Sequence, residues 1–124
     1  MEAKDLGKTS SGIQANMAAL LSYLVGWITG LIFFLVEKDN KFVRFHAMQS
    51  IVVFGAFSAL GIAASVLASF AVAIHAYFLL PLFGLVSTLL GLVALALWIV
   101  LMIKAYQGEK FKLPIAGDIA EKNS

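Results

Sequence analysis

Three long apolar runs without a single charged side chain dominate this sequence, and they constrain its fold more than any other feature. They extend over Ala18–Val36, Ile51–Ile74 and about Leu82–Ile103. As a helix, the first run would reach roughly 28 Å, close to the hydrocarbon thickness of about 30 Å of a bilayer. Backbone groups in lipid must be satisfied within their own segment, so each run is predicted to be a helix. We therefore expect an all-α, polytopic transmembrane helix bundle with three spans, at about residues 18–36, 45–74 and 82–103.

The composition argues against a soluble helical bundle. Hydrophobic residues make up 61% of the 124-residue chain and charged residues 13%, whereas a soluble domain has roughly 45–50% and about 25%. A chain this small cannot hide so much apolar surface from water. Four spans, with the end of the second run re-entering the membrane, are the alternative.

The basic residues predict how the bundle is oriented. With three spans, the first loop and the polar C-terminal tail, residues 104–124, share one side of the membrane. The flexible polar N-terminal tail, residues 1–17, and the second loop share the other, with only Lys4 and Lys8. The first pair of segments carries the remaining basic residues, Lys38, Lys41, Arg44, Lys104, Lys110, Lys112 and Lys122. Since cytoplasmic loops are enriched in Lys and Arg, the first loop and C-terminal tail are predicted in the cytoplasm and the N-terminus outside, in a protein of the cell membrane.

Small residues recur in the runs at spacings that suit close helix contact. Helices in lipid approach each other through such residues. The contacts could lie within one bundle or form the face of an oligomer. The predicted helix-packing residues are Gly26, Gly30, Gly61, Ser65, Ser69, Gly84, Ser87 and Gly91.

Little in the sequence points to chemistry. No Asp, Glu, Lys or Arg lies inside a run, which argues against proton-coupled transport. His46 and His75 flank the second run, so roughly 30 Å separates them and they cannot share a metal ion in one molecule. There is no cysteine. No catalytic residue, metal ligand or cofactor is predicted, an enzyme is not expected, and the few scattered basic residues do not indicate nucleic-acid binding.

Polar residues of the first loop and the C-terminal tail form a candidate cluster on the predicted cytoplasmic face. Arg44 is expected to pair with Glu109 or Asp118 at this face. The alternative is that these residues are snorkelling lysines, their acidic partners and helix ends, without a functional role. The cluster includes Arg44, His46, Gln49, Tyr106, Glu109, Pro114 and Asp118.

Three segments, Leu21–Gly30, Glu37–Ser50 and Lys104–Ala120, resemble a family of small uncharacterised prokaryotic membrane proteins. More distantly, they resemble the chloroplast inner-envelope protein-import translocon component. The resemblance rests on the patterns Phe-His-Ala-x-Gln and Gly-Glu-x-x-x-Leu-Pro-x-x-Gly. It implies a helical membrane protein without an assured activity. The plastid component has four spans and a proposed role in protein conduction, whereas this chain has three apolar runs.

The resemblance adds positions to the candidate cluster. The matching residues are Phe45, His46, Gln49, Tyr106, Gly108, Pro114 and Gly117. Glycine permits tight turns, so Gly108 and Gly117 are expected to let the tail fold back under the bundle and dock on His46 and Gln49.

Three functions fit these features. The favoured hypothesis is a structural or assembly protein that docks a partner through its cytoplasmic motifs. The alternatives are an oligomeric transport or protein-translocation channel lined by the serine rows, and an enzyme acting at the headgroup plane. The expected partners are the lipid bilayer and either further copies of the chain or another membrane protein.

Overall fold

The computed structural model describes residues 6–124, which form five α-helices and no strand. The helices are α1 (Ala15–Leu24), α2 (Trp27–Val36), α3 (Lys41–Ala73), α4 (Leu80–Tyr106) and α5 (Ala116–Asn123), with a short 3-10 helix at Tyr77–Leu79 before α4. The all-α prediction is confirmed for these residues. Lys4, which entered the orientation prediction, lies outside the described residues.

The first apolar run forms two short helices instead of one span. Helices α1 and α2 have 10 residues each, which gives about 15 Å of helix, half the hydrocarbon thickness. Gly26 separates them with a φ of 64°, a conformation that suits glycine. Thr29 closes the turn, because its Oγ1 donates to the carbonyl of Ser22 and accepts from the N–H of Val25. The predicted span at residues 18–36, and with it a three-span bundle, is not confirmed.

The two ends of this helix pair lie together, so α1 and α2 form a hairpin. Ser10 precedes α1, and its N–H and Oγ donate to the Glu37 carboxylate, which follows α2, at 2.8–2.9 Å. Asn40 Nδ2 donates to the carbonyls of Leu6 and Lys8 at 2.8 and 3.0 Å. The N-terminal segment and the first loop therefore lie at the same end of the fold. Their predicted placement on opposite sides of the membrane does not hold in this structure.

Helices α3 and α4 are the two described helices that are long and apolar enough to cross a membrane. Their most apolar windows have mean hydropathies of 2.3 and 2.6, and only 11% and 6% of those windows is buried inside the protein. A helix of a soluble protein turns its apolar side chains toward the interior. Here these side chains face outward, as lipid-facing side chains do.

Local sequence explains where the long helices end. Asn40 caps the start of α3, where its side chain accepts a hydrogen bond from the N–H of Val43 at 3.1 Å. The C-terminus of α3 is closed by His75, with a φ of 59°, and that of α4 by Gly108, with a φ of 78°. Both ends show the paired backbone bonds of a Schellman motif, for example Glu109 N–H to Lys104 O at 3.0 Å and Gly108 N–H to Ala105 O at 3.1 Å.

The buried core lies at one end of the molecule. In α3 the buried residues fall between Val43 and Phe54, apart from Ala71, and in α4 they are Leu101 and Ala105. No residue of segments 55–70 and 80–100 is buried. We call the end containing the α1–α2 hairpin and the adjoining parts of α3 and α4 the four-helix half. The rest of α3 and α4, beyond Phe54 and before about Ala94, is the two-helix half.

Gly30 sets the distance between α2 and α3 and gives a direct test of the hairpin packing. A Cβ at this position would lie 2.9 Å from both Ala47 O and Ser50 Cβ. We expect Gly30→Ala to lower the free energy of unfolding by about 1–3 kcal/mol, because α2 must move away from α3. The measurement is the thermal midpoint in detergent micelles.

The matched control for this substitution is Gly61→Ala. No described neighbour lies within 4 Å of a Cβ at Gly61, and alanine favours helix over glycine, so this change is expected to be neutral or slightly stabilising. An equal loss of stability in the two variants would contradict the packing described here.

Candidate functional site

Three fully buried polar side chains form the centre of the four-helix half. They are Tyr23 of α1 and His46 and Gln49 of α3. Residues 107–115, which we call the strap, leave the end of α4, pass over His46 and Gln49, and lead into α5. The predicted docking of the tail on His46 and Gln49 is confirmed by hydrogen bonds to Glu109, Phe111 and Leu113 of the strap.

The hydrogen bonds of His46 define its tautomer. Its Nε2 lies 2.9 Å from the carbonyl oxygen of Glu109, which can only accept, so Nε2 carries the hydrogen. In the neutral ring Nδ1 is then the acceptor. Tyr23 Oη, 2.7 Å away, must donate to it. Both ring nitrogens are therefore used in holding the fold together.

Gln49 completes the network with all of its polar groups. Its Nε2 donates to Tyr23 Oη at 3.0 Å and to the carbonyl of Phe111 at 2.9 Å. Its Oε1 accepts from the N–H of Leu113 at 3.0 Å. Among the described residues, no buried side-chain nitrogen or oxygen lacks a hydrogen-bond partner. Because an unpaired polar group is costly in an apolar interior, this network fixes the strap in one position.

Aromatic rings surround the imidazole of His46. The rings of Phe42 and Phe45 contact it edge to face, with centroids 4.7 and 5.2 Å away, and Phe45 is itself buried beneath the ammonium group of Lys110 at 4.9 Å. The residues described include no group of three or more His, Asp or Glu that could hold a metal ion. The chemistry of this site is that of a saturated structural network.

A second buried polar site joins the ends of the hairpin. The Glu37 side chain accepts from Ser10, and also from the N–H groups of Asp39 and Asn40 at 3.2 and 3.1 Å. Burial by itself raises the pKa of the Glu37 carboxyl, but the hydrogen bonds from Ser10, Asn40 and Asp39 outweigh it and hold the pKa below its ordinary value. The site therefore contains a carboxylate that is stabilised in its charged form.

Arg44 does not form the predicted ion pair with Glu109 or Asp118. Its Nη1 instead donates to the carbonyls of Phe34 and Glu37 at 3.0 and 2.7 Å, and its guanidinium lies 4.1 Å from the centre of the Phe34 ring. A cation at this position satisfies the free carbonyls at the C-terminus of α2. Arg44 is thus a helix cap of the hairpin.

The acidic residues of the tail pair with lysines near them in the sequence. Lys104 contacts Glu109 at 3.2 Å, and Lys112 contacts both Asp118, at 3.0 Å, and Glu121. All these side chains are well exposed, and such surface pairs contribute little to stability. Local pairing on the tail therefore replaced the predicted pairing between the loop and the tail.

The two glycines of the tail act differently from each other. Gly108 makes the tight turn predicted for it. Gly117 has no unusual φ; it allows close approach, since a Cβ there would lie 2.6 Å from Lys112 Cβ. The second turn of the strap falls on Ile115, with a φ of 67°, directly after Pro114. Tyr106 is exposed at the end of α4, where its carbonyl accepts from Asn16 Nδ2 at 3.1 Å.

The predicted helix-packing residues divide into two groups. Gly26 and Gly30 are in close contact with α3, and Ser50 Oγ donates to the carbonyl of Gly26 at 2.9 Å. In contrast, no described atom of a neighbouring element lies within 4 Å of a Cβ at Gly61, Gly84 or Gly91. The second group lies in the two-helix half with Ser65, Ser69 and Ser87, where the prediction of close contact within one molecule does not hold for the three glycines.

Tyr23 is the central residue that sequence reasoning missed. Its ring is buried, its hydroxyl joins His46 to Gln49, and its carbonyl accepts from Trp98 Nε1 at 2.7 Å. The sequence contained a signal for it, because a tyrosine within an apolar run needs a hydrogen-bond partner for its hydroxyl once it is buried. Tyr23 is the one phenol within the first apolar run.

Comparison with known proteins places the chain in a family. Residues 9–120 match the model of the magnetosome magnetite crystal formation protein family. The chain belongs to this family. It is 47% identical over 119 residues to a UPF0132 membrane protein of Methanocaldococcus jannaschii, with 96% of each chain covered. A UPF0132 membrane protein of Archaeoglobus fulgidus is 46% identical over 111 residues, which cover 89% of this chain and 95% of the relative.

These relatives support the predicted membership of a family of small prokaryotic membrane proteins without an assigned activity. The resemblance to the chloroplast translocon component finds no support in them. No solved structure matches the chain.

The lowered pKa of Glu37 predicts how stability depends on acidity. A carboxyl whose pKa is lower in the folded than in the unfolded chain stabilises the fold above the ordinary value of 4.5, and this contribution is lost as the pH falls through the folded pKa. At neutral pH, Glu37→Gln is expected to lower the free energy of unfolding by about 1.5–3 kcal/mol, the range for a hydrogen bond to a charged group. Thermal midpoints in detergent between pH 7 and pH 3 provide the measurement.

Glu109→Gln is the matched control, since it removes only the exposed pair with Lys104 and should change stability by less than about 1 kcal/mol. The difference between wild type and Glu37→Gln should shrink as the pH falls below 4.5. A difference that is independent of pH would contradict the role assigned to the carboxylate.

Proposed function

We propose that this chain is a non-enzymatic membrane scaffold that holds its strap and α5 as a fixed docking platform for a protein partner or for further copies of itself. It crosses the cell membrane twice, through α3 and α4. The α1–α2 hairpin enters the bilayer and returns to the same side. The N-terminal segment, the first loop and the tail all lie in the cytoplasm.

The distribution of charge supports this topology. All Lys and Arg of the described residues lie in the N-terminal segment, the first loop with the start of α3, the end of α4, or the tail, whereas residues 74–79 between α3 and α4 include none. The positive-inside rule then favours a cytoplasmic location for that whole end. Exposed apolar side chains of α2, among them Ile28, Ile32 and Leu35, suit a hairpin immersed in lipid.

The main support for the docking role is that every polar group of the buried side chains His46 and Gln49 already has a hydrogen-bond partner within the protein. Gln49 forms three hydrogen bonds, to Tyr23 and to the strap, and both ring nitrogens of His46 are hydrogen-bonded. A general base would need a free nitrogen within reach of a substrate. These side chains instead fix the backbone that leads to α5, whose polar face remains exposed, with the Asp118 side chain 78% accessible.

The comparisons contribute one point to this proposal. The relatives are named as membrane proteins, and membrane residence is what we carry over to this chain.

Releasing the strap without disturbing the spans tests the docking role. Gln49→Leu removes the hydrogen bonds to Tyr23 Oη, Phe111 O and Leu113 N. Tyr23 Oη keeps His46 as a partner, whereas the two strap backbone groups lose theirs, at a cost of about 1–3 kcal/mol for each buried group. The complex is extracted gently from its own membrane and its native mass and protein content are measured. The wild-type chain should carry a reproducible partner or further copies, and the variant should lose them while its tail becomes sensitive to protease.

Gln14→Leu is the matched control, because Gln14 is exposed and its side chain makes no capping hydrogen bond. It should retain the wild-type complex. A wild-type chain that is extracted alone, or a Gln49→Leu variant that keeps its complex although its tail is cleaved, would overturn the proposal.

A further inference from the structure

The two halves of the fold take up different areas in the plane of the membrane. The four-helix half contains α1, α2, α3 and α4, whereas the two-helix half contains α3 and α4 alone. A helix is about 10–12 Å across, so the difference is two helix cross-sections, on the order of 200 Å². The molecule is therefore a wedge with its wide end at the basic side.

The position of the hairpin tip along α3 shows where the protein changes from four helices to two. Gly26 lies at the tip, and its built Cβ would be 3.5 Å from Cβ of Phe54. Helix α3 runs from Lys41 to Ala73, so about 20 Å of it lies beside the hairpin and about 28 Å lies beyond the tip. Because about 28 Å is nearly the hydrocarbon thickness of about 30 Å, the tip lies near the basic-side boundary of the hydrocarbon core, and the hairpin does not reach the opposite leaflet.

Open space lies beyond the tip. A cleft of about 500 Å³ is bounded by Val25, Gly26 and Trp27 at the tip and by Gly61, Ser87 and Gly91 of the two long helices. No helix of the described chain continues the hairpin into this region. Val25 and Trp27 are 56% and 38% exposed, as expected of a tip that ends among acyl chains.

The tail widens the basic side further. Ile115 and Ile119 are 75% and 42% exposed, next to the charged side chains of Asp118, Glu121 and Lys122. An amphipathic segment of this kind lies in the interface plane with its apolar edge among the lipids. It adds area to the same leaflet that holds the hairpin.

We propose that this wedge gives the chain a preference for strongly curved membranes, with the hairpin side on the convex face. The proposed ligand is the lipid surface itself. In a flat bilayer, extra lipid must fill the space beside the two-helix half, or the leaflets must deform around the protein. A leaflet on the convex face of a curved bilayer has more area than its partner, which matches the wide half. The inference rests on the proposed topology, in which the hairpin enters and leaves on one side.

The test measures protein density as a function of vesicle diameter. Because the chain has no cysteine, a single exposed site, Lys38→Cys, carries the fluorophore. The protein is reconstituted into phosphatidylcholine and phosphatidylglycerol vesicles with a broad range of diameters, and the protein-to-lipid fluorescence is read vesicle by vesicle. With Lys38→Cys facing outward, the density should rise several-fold from the largest to the smallest vesicles.

Orientation provides the internal control, and it needs no variant with an altered fold. An impermeant quencher separates molecules with the hairpin side outward from those with it inward. The inward population should show the opposite trend, because its wide half then lies in the concave leaflet. A density independent of diameter, or the same trend in both orientations, would overturn the wedge.

Failure of the topology is distinguished in the same samples. Lys8→Cys and Lys38→Cys, measured separately, should be quenched from one side and Ala76→Cys from the other. If Lys8→Cys and Lys38→Cys report opposite sides, the hairpin is absent and both proposals fail. If they report the same side and the density is flat, the topology stands and the curvature preference alone is refuted.

Discussion

The hydrogen bonds between Ser10 and the Glu37 carboxylate determine how the first apolar run is arranged, and the packing of the rest of the molecule depends on that arrangement. They join the residues that flank the α1–α2 hairpin, so the first apolar run begins and ends at the same place. A carboxylate can occupy a buried position only when hydrogen bonds replace its water, and three residues supply them here. Once this contact forms, the run cannot cross a bilayer, and the basic segments on either side of it gather at one end.

The buried network of Tyr23, His46 and Gln49 depends on that hairpin. Tyr23 lies in α1 and reaches His46 of α3 because the hairpin packs against α3, most closely at Gly30. The network then fixes the strap through three backbone groups. Packing inside a membrane gains little from hydrophobicity, since lipid is as apolar as the side chains. Close glycine contacts and saturated hydrogen bonds therefore provide the specificity of this half. In the part of the chain that the structure describes, the two-helix half has no buried residue apart from Ala71 and no third α-helix.

Sequence reasoning predicted the helical class, the two long apolar helices and the docking of the tail on His46 and Gln49. The helices follow from the lengths of the apolar runs. The docking was expected from the family resemblance, which indicated His46 and Gln49, and from turns at Gly108 and Gly117, of which only Gly108 has a positive φ. It missed the break at Gly26, because a charge-free run of 19 residues satisfies the length rule for a span whether or not it bends. The break depends on a positive φ at Gly26 and on Thr29, whose hydroxyl replaces backbone bonds. The partners of Arg44 were missed because its nearest acceptors are backbone carbonyls at the end of α2, which charge counting does not consider.

The most direct test of this account is the distance between residues 8 and 38 in a lipid bilayer, measured by pulsed electron paramagnetic resonance on spin labels at Lys8→Cys and Lys38→Cys. Both residues are exposed and adjoin the contact between Ser10 and Glu37. A re-entrant hairpin predicts a separation well below the hydrocarbon thickness of about 30 Å, and a much longer one for a label pair at positions 38 and 76. A separation of roughly 30 Å or more between positions 8 and 38 would restore a transmembrane first helix. It would also contradict the hairpin on which the docking platform and the wedge both depend.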